Sequence, residues 1–294
     1  MKIRVGSRES KLAVKQSQIV IDSIKKYNPD IEIELITMKT TGDKILDKTL
    51  DKIGGKGLFV KELDRALLEE KVDITVHSFK DMPMDIDDRL PIVAVSKRED
   101  PRDVLVLPKG VDEIDFGKPI GCSSLRRKIQ IEKIYPGCTV EPIRGNVLTR
   151  IEKLDRGEYS AIALAYAGLK RLGLEDRIWR VFSTDEIVPA ACQGVVAVQA
   201  RKGFDISFLA NFHDNDSWDV SVAERSFIKA LNGGCSSPSA AFGVIQDNQI
   251  ILTGFYVDKN NRIFKMTKAG DRNQGEALGY NLAVEMLKGM GIYG

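Results

Sequence analysis

The order of short apolar runs and helix-period segments restricts the fold of this chain more than any other feature. Residues 3–5 (IRV) read as a strand. Ser10 is placed to cap a helix with Ala13, Val20, Ile24 and Tyr27 on one face, and Asn28-Pro29 ends it. The alternating run 31–36 gives a second strand. The next helix carries Phe59, Leu63, Ala66 and Leu67 on one face, and 73–78 and 92–96 are further strands. Strand–helix alternation requires a sheet covered by helices, which is an α/β unit. After the charged, proline-containing segment 97–103 (KREDPRD), read as a hinge or crossing, the rhythm restarts. Strands fall at 104–107, 119–121, 139–143, 161–167 and 195–200, with helices at 123–134 and 146–156. The order then changes to a helix over about 218–231, capped by Ser217 or Asp216, and strands near 241–245, 249–257 and 262–268. Asp247-Asn248 and Lys259-Asn260-Asn261 supply the turns, and a last helix covers 273–288. That order predicts a small α+β unit at the C-terminal end. The polar stretch 39–57 reads as a mobile loop.

Composition excludes several classes of function. At 294 residues the chain has room for two or three domains. No run approaches the roughly 18 apolar residues of a membrane helix, and MKIRVGSRES has no apolar signal core. A cytoplasmic protein with no membrane partner is expected. The net charge of +2 and the lack of aromatic–basic interleaving point away from nucleic acid. Cys122, Cys138, Cys192 and Cys235 form no CxxC pair, so no disulfide framework is expected. With only two histidines and no ligand-spaced pairs, no metal is expected either.

Basic side chains recur where strands give way to helices: Arg8, Lys56, Lys80, Arg126, Arg127 and Arg144. Ligands of open α/β sheets bind at the carboxyl ends of strands, where helix N-termini offer free N–H groups. Small neighbours (Gly6, Ser7, Ser123, Ser124, Gly145) let an anion approach the backbone. The set reads as a polyanion site, against the plainer reading of solvated surface charge. GGKG (54–57) lacks P-loop spacing. Lys80 and Asp81, neighbours in what reads as an extended stretch, would point to opposite sides of one ligand. Asp81 suits either stabilisation of a developing cation or a turn aspartate bonding its own backbone. Cys235, in LNGGCSSPS, follows a helix end at which Gly233 or Gly234 takes the C′ position. That end of a helix disfavours a thiolate and no base accompanies it. A small residue in a tight turn is the plainer reading. The other cysteines read as packing residues.

The stretches 6-GSRES-10, 53-IGGKGLFVKELD-64, 77-HSFKDMP-83, 98-REDPRD-103, 123-SSLRR-127, 144-RGNVLTR-150, 168-GLKRLGL-174 and 233-GGCSSP-238 together resemble the porphobilinogen deaminase (hydroxymethylbilane synthase) family over essentially the whole chain. The resemblance implies three domains. Two are similar doubly wound, mixed-sheet domains of the periplasmic-binding-protein kind, flanking a cleft (1–97 with 195–213, and 98–194). The third is a small α+β domain with a three-stranded sheet (214–294), carrying the cofactor cysteine. It implies a monomeric transferase joining four porphobilinogen molecules head to tail, with loss of ammonia, on a dipyrromethane primer held by a thioether to Cys235. Asp81 matches the catalytic aspartate, which stabilises azafulvenium-type cations. Lys80, Ser123, Ser124, Arg126, Arg127, Gly145 and Arg150 match cofactor-binding positions. Arg8, Ser10, Gln16, Arg144, Arg171 and Gln193 match the substrate side. Residues 42–57, with Lys52 and Lys56, are read as a lid. Each porphobilinogen brings an acetate and a propionate, which accounts for a cationic cleft. The chain departs from the family pattern at Cys122, where Thr is usual, at Gln199, where an acid is common, and after Cys235. The alternative is a non-catalytic two-lobed anion-binding protein, which has no need of Cys235.

Overall fold

The computed structural model describes residues 1–44, 60–233 and 238–289. Five strands build the first sheet: β1 (Lys2–Arg8), β2 (Glu32–Met38), β3 (Ile74–Ser78), β4 (Ile92–Val95) and β10 (Val196–Ala200), in the order β2-β1-β3-β10-β4. β1 is parallel to β2 and β3, whereas β10 runs antiparallel to β3 and β4. The second sheet repeats the plan with β5 (Asp103–Val106), β6 (Ile120–Gly121), β7 (Val140–Glu141), β8 (Ala161–Ala165) and β9 (Ile178–Val181), in the order β7-β6-β8-β5-β9. Here β5 is the antiparallel strand. In both sheets that strand arrives from the other sheet: β5 follows β4, and β10 follows β9. Two chain crossings therefore join the lobes, and strand carboxyl ends from both lobes meet at the crossings.

The helices start where short polar side chains cap them. Ser10 accepts the Ala13 N–H at the start of α1 (Lys11–Tyr27). Ala13, Val20 and Ile24 of α1 are buried as expected, while Tyr27 is exposed. The 39–57 stretch contains one helical turn, α2 (Thr41–Lys44), whose Thr41 N–H donates to Glu62 at 2.9 Å. From residue 45 on, that stretch, with Lys52 and Lys56, lies outside the described residues, as does Phe59. Leu63, Ala66 and Leu67 of α3 (Lys61–Leu68) are buried. In the second lobe, Ser124 caps α4 (Leu125–Ile134) and Asn146 caps α5 (Val147–Asp155). The apolar run 161–167 is not one strand. It breaks at Ala165, and α6 (Tyr166–Leu172) follows, closed by Gly173 at φ 68°. β9 is short and half-buried, which leaves little apolar signal in its sequence.

The third unit opens with α7 (Asn215–Ala230). Its cap is Asp214, which accepts the Ser217 N–H at 2.8 Å, rather than Ser217 or Asp216. Ser217 instead accepts the N–H of Arg98, in the first of the two crossings. β11 (Ser239–Gln246), β12 (Gln249–Val257) and β13 (Ile263–Asp271) form an antiparallel sheet. The two-residue turn Asp247-Asn248 has both φ values positive (47° and 62°), which matches the twist of the hairpin. α7 and α8 (Gly275–Gly289) cover one face through Val220, Phe227, Leu252, Leu282 and Met286. Phe227 is fully buried there, worth about 2–3 kcal/mol. The same cluster takes in Phe79, Met82 and Val95 of the first lobe. On the other face, Ala240, Phe255 and Val257 pack on Val188 and Ile129 of the second lobe. The third unit thus touches both lobes. Asn232, at φ 51°, takes the left-handed position after α7 that the sequence suggested for a glycine. Among the described residues no helix is long and apolar enough to cross a membrane.

Candidate active site

The site forms where the two crossings run side by side. Lys80 and Asp81 lie not in an extended stretch but in a 3-10 turn (Phe79–Asp81) directly after β3, closed by Met82 N–H donating to the Phe79 carbonyl at 3.1 Å. Phe79 and Met82 are buried, so the turn projects half-buried Lys80 and exposed Asp81 outward. The charge of Asp81 acts on Lys80, and on Arg127 and Arg150 of the second lobe. The acid therefore lies within electrostatic range of cations from the second lobe.

Two buried residues organise those cations. Asp103, the first residue of β5, is 1% exposed. It accepts from Arg126 Nη1 at 2.6 Å, Arg127 Nε at 2.9 Å and Gln193 Nε2 at 2.8 Å. Burial alone raises its pKa, but the guanidinium groups of Arg126 and Arg127 outweigh that and hold the carboxyl well below the usual range. Gln193, fully buried, receives Lys80 Nζ at 3.1 Å and Arg127 Nη2 at 3.4 Å on its Oε1. One polar network thus runs from the first lobe to the second. Asp103 was not singled out in the sequence. The available signal was an acid opening the apolar run VLVL, with two adjacent arginines downstream that need a buried counter-charge.

Arg126 also donates to the Val188 carbonyl and is 4% exposed, so its hydrogen bonds go to the protein interior. Burial, then the Arg127 guanidinium, lower Lys80 to about 8. Burial, then Arg127 and Arg144, lower Arg150 to about 10. The cations are crowded enough to depress one another, which is the donor set a polycarboxylate requires. Arg150 reaches back from the first turn of α5 to the Gly145 carbonyl at 2.8 Å. Gly145 has φ 114°, and a Cβ there would lie 2.7 Å from Thr149 Cγ2, so glycine is required. Ser123 exchanges hydrogen bonds with the backbone of Ile143. Arg171 donates to the Gly194 carbonyl. Gln16 donates to Ser78 at 2.8 Å, at the mouth of β3. Arg8 ends β1 beside His77. Burial first, then Arg8, lower that imidazole to about 3, so it is neutral. Cys122 and Cys192 are buried and Cys138 packs at the edge of the second lobe's core. Cys235, with Gly234, lies outside the described residues. Among the described residues no cluster could hold a metal ion.

Residues 3–206 match the family model for porphobilinogen deaminase, dipyromethane cofactor binding domain, and residues 218–288 match porphobilinogen deaminase, C-terminal domain. The chain belongs to the porphobilinogen deaminase family. It is 89% identical over 289 residues to the porphobilinogen deaminase of Acetivibrio thermocellus, covering 98% of this chain and 99% of that one. Identity to the enzyme of Alkaliphilus oremlandii is 73%, covering 97% of each chain. For Ruminiclostridium josui it is 58%, again covering 97% of each. Among solved structures, the periplasmic aliphatic sulphonate binding protein SsuA from Escherichia coli aligns at a TM-score of 0.42 with 8% identity, over 79% of this chain and 70% of that one. The activity of a porphobilinogen deaminase is hydroxymethylbilane synthesis, a transferase reaction of tetrapyrrole biosynthesis, with dipyrromethane as cofactor. Family membership sets aside the non-catalytic binder.

Proposed function

We propose that the cleft performs this reaction with Asp81 as its catalytic carboxylate and the strand-end cations as its carboxylate grip. The observation that carries the reading is the turn after β3, which sets Lys80 on the same buried Gln193 oxygen as Arg127 of the second lobe, with Asp81 exposed beside it. Ammonia leaves porphobilinogen with the C–N bonding pair and takes up a proton, which leaves a cation conjugated to the pyrrole nitrogen. The Asp81 carboxylate accepts the pyrrole N–H and stabilises that charge, an effect worth about 3–4 kcal/mol by comparison with single oxyanion-hole donors. When bound, dipyrromethane supplies the nucleophilic α-carbon of its terminal ring. Lys80, Arg127 and Arg150 would grip cofactor carboxylates beside Gly145. Arg8, Arg144 and Arg171, with Gln16, would serve the incoming substrate, and the buried Gln193 holds Lys80 and Arg127 together. Arg126, Ser10, Ser123 and Ser124 contribute by holding the strand ends and helix starts in place.

Cys235 is the proposed thioether anchor, and Lys52 and Lys56 belong to a proposed lid. We place the domain divisions at 1–97 with 195–213, 98–194 and 214–294, and expect a cytoplasmic monomer. Intact-mass measurement tests the anchor: wild type should carry the mass of two linked pyrrole units and Cys235→Ser should not. Bare-chain mass in protein that turns over porphobilinogen refutes it. Asp81→Ala should keep the adduct and lose at least about 100-fold in kcat. Near-normal turnover removes Asp81 from the mechanism.

A further inference from the structure

Arg225, on α7 of the third unit, reaches across to the first lobe. Its Nη2 donates to the Pro83 carbonyl at 2.6 Å and to the Met84 carbonyl at 3.1 Å. The guanidinium carbon also lies 4.9 Å from the centre of the Phe79 ring. These contacts bracket Lys80, Asp81 and Met82 on both sides. Beneath them, Phe79 and Met82 are buried in one cluster with Val220, Ala223 and Phe227 of α7. One helical turn on, Lys229 pairs with Asp85 at 3.3 Å.

We propose that Arg225 is a positioning residue for the reaction: it holds the Phe79–Met84 segment so that Lys80 and Asp81 keep their places in the cleft. The inference rests on the reading of Asp81 given above. The physical case begins with the turn itself. A single 3-10 turn is a weak element, because its hydrogen bonds are few and poorly aligned. Asp81 is exposed on that turn, so no packing of its own side chain fixes it. What fixes it is the grip on the residues on either side. A guanidinium makes charge-assisted bonds to two carbonyls at once and stacks on a ring, which a lysine ammonium cannot reproduce. α7 also leads in sequence to Cys235. The same helix therefore precedes the proposed anchor and holds the turn that bears the proposed carboxylate.

The test uses full-length protein carrying its cofactor, with Arg225→Gln and Arg225→Lys. Four quantities are read: adduct by intact mass, kcat and KM for porphobilinogen, hydrogen exchange of the Lys80–Met82 amides, and melting temperature. Misplacement of a reacting group by about 1 Å costs on the order of 100-fold. We therefore expect kcat to fall about 10- to 100-fold in Arg225→Gln, with KM within about threefold and the adduct retained. Exchange at 80–82 should quicken, and Arg225→Lys should be intermediate in kcat. If kcat stays within about twofold of wild type while only the melting temperature drops, Arg225 is a plain inter-unit tie and the proposal fails. A rise in KM at unchanged kcat overturns it equally. Should Arg225→Gln not accumulate as folded protein, Arg225→Lys decides by the same criteria. Normal Arg225 variants beside an inactive Asp81→Ala sink this inference alone. A wild type that does not turn over porphobilinogen sinks the reading beneath it.

Discussion

Lys80 shows how a single residue carries a testable electrostatic signature. Burial, then Arg127, lower its ammonium to about 8. Below that pH it is charged and pairs with a carboxylate; above it the charge is lost. The rate at which cofactor-free protein takes up its dipyrromethane should therefore decline as pH rises through about 8, and Lys80→Arg should move that limb out of the measurable range. An unchanged limb in the variant excludes Lys80 as its origin. Asp64 provides a stability counterpart. Burial first, then Asp87, raise it from 3.8 to about 6, and its Oδ1 is buried without a hydrogen-bond partner. A raised carboxyl pKa means the folded state holds its proton longer than the unfolded chain. Stability contributed by the neutral form is complete below about 3.8 and lost as pH rises through about 6. Asp64→Asn should then be more stable than wild type at pH 7, by about 1 kcal/mol after allowance for partial solvent screening. The gain should vanish near pH 4, as read by urea unfolding at both pH values.

At the scale of elements, period and caps were legible, and short or strained pieces were not. Ser10 and the helix after it read directly from the sequence, because a cap acts within one turn. The Asp214 cap was misplaced by two or three positions because the stretch 214–217 (DNDS) offers several capping side chains. Only the contact of Ser217 with Arg98 shows which one is otherwise engaged. The Phe79–Asp81 turn reads as extended from its composition, since the burial of Phe79 and Met82 against α7 is a tertiary fact. The crossing at 192–194 is tightly constrained. Cys192 sits at φ 61° and Gly194 at φ 91°, and a Cβ on Gly194 would lie 2.2 Å from the Glu99 carbonyl oxygen. Gly194→Ala should cost about 2 kcal/mol or more and separate the two crossings. Denaturant midpoints measure the cost, and an unchanged midpoint refutes the close packing of the crossings.

At the scale of the whole molecule, one buried ion pair ties all three units. Glu224 of α7 is fully buried and receives both Arg98 Nη1 at 2.8 Å and Nη2 at 3.0 Å. It also accepts the N–H groups of Cys192 at 2.6 Å and Gly243 at 2.8 Å. Both crossings and the third sheet therefore converge on one carboxylate. Glu224→Gln leaves Arg98 buried without its counter-charge and should destabilise by about 3–5 kcal/mol. A thermal melt showing no loss would contradict this account of the junction.

The sequence by itself determined the α/β alternation, the change to a small α+β unit, the strand-end location of the cations and, through ordered motifs, the family. Each of these depends on period, caps or local residue type. Only the tertiary structure decided which cations face the cleft and which are used up inside the fold. Arg126 and Arg127 look alike in SSLRR. Both are buried against Asp103, 23 and 24 residues away, but Arg126 gives its other bond to the Val188 carbonyl, whereas Arg127 also reaches Gln193, which it shares with Lys80, 113 residues from Gln193. Charge pairing acts through space and is strongest where water is excluded. No local pattern can announce a partner that only the fold brings within reach.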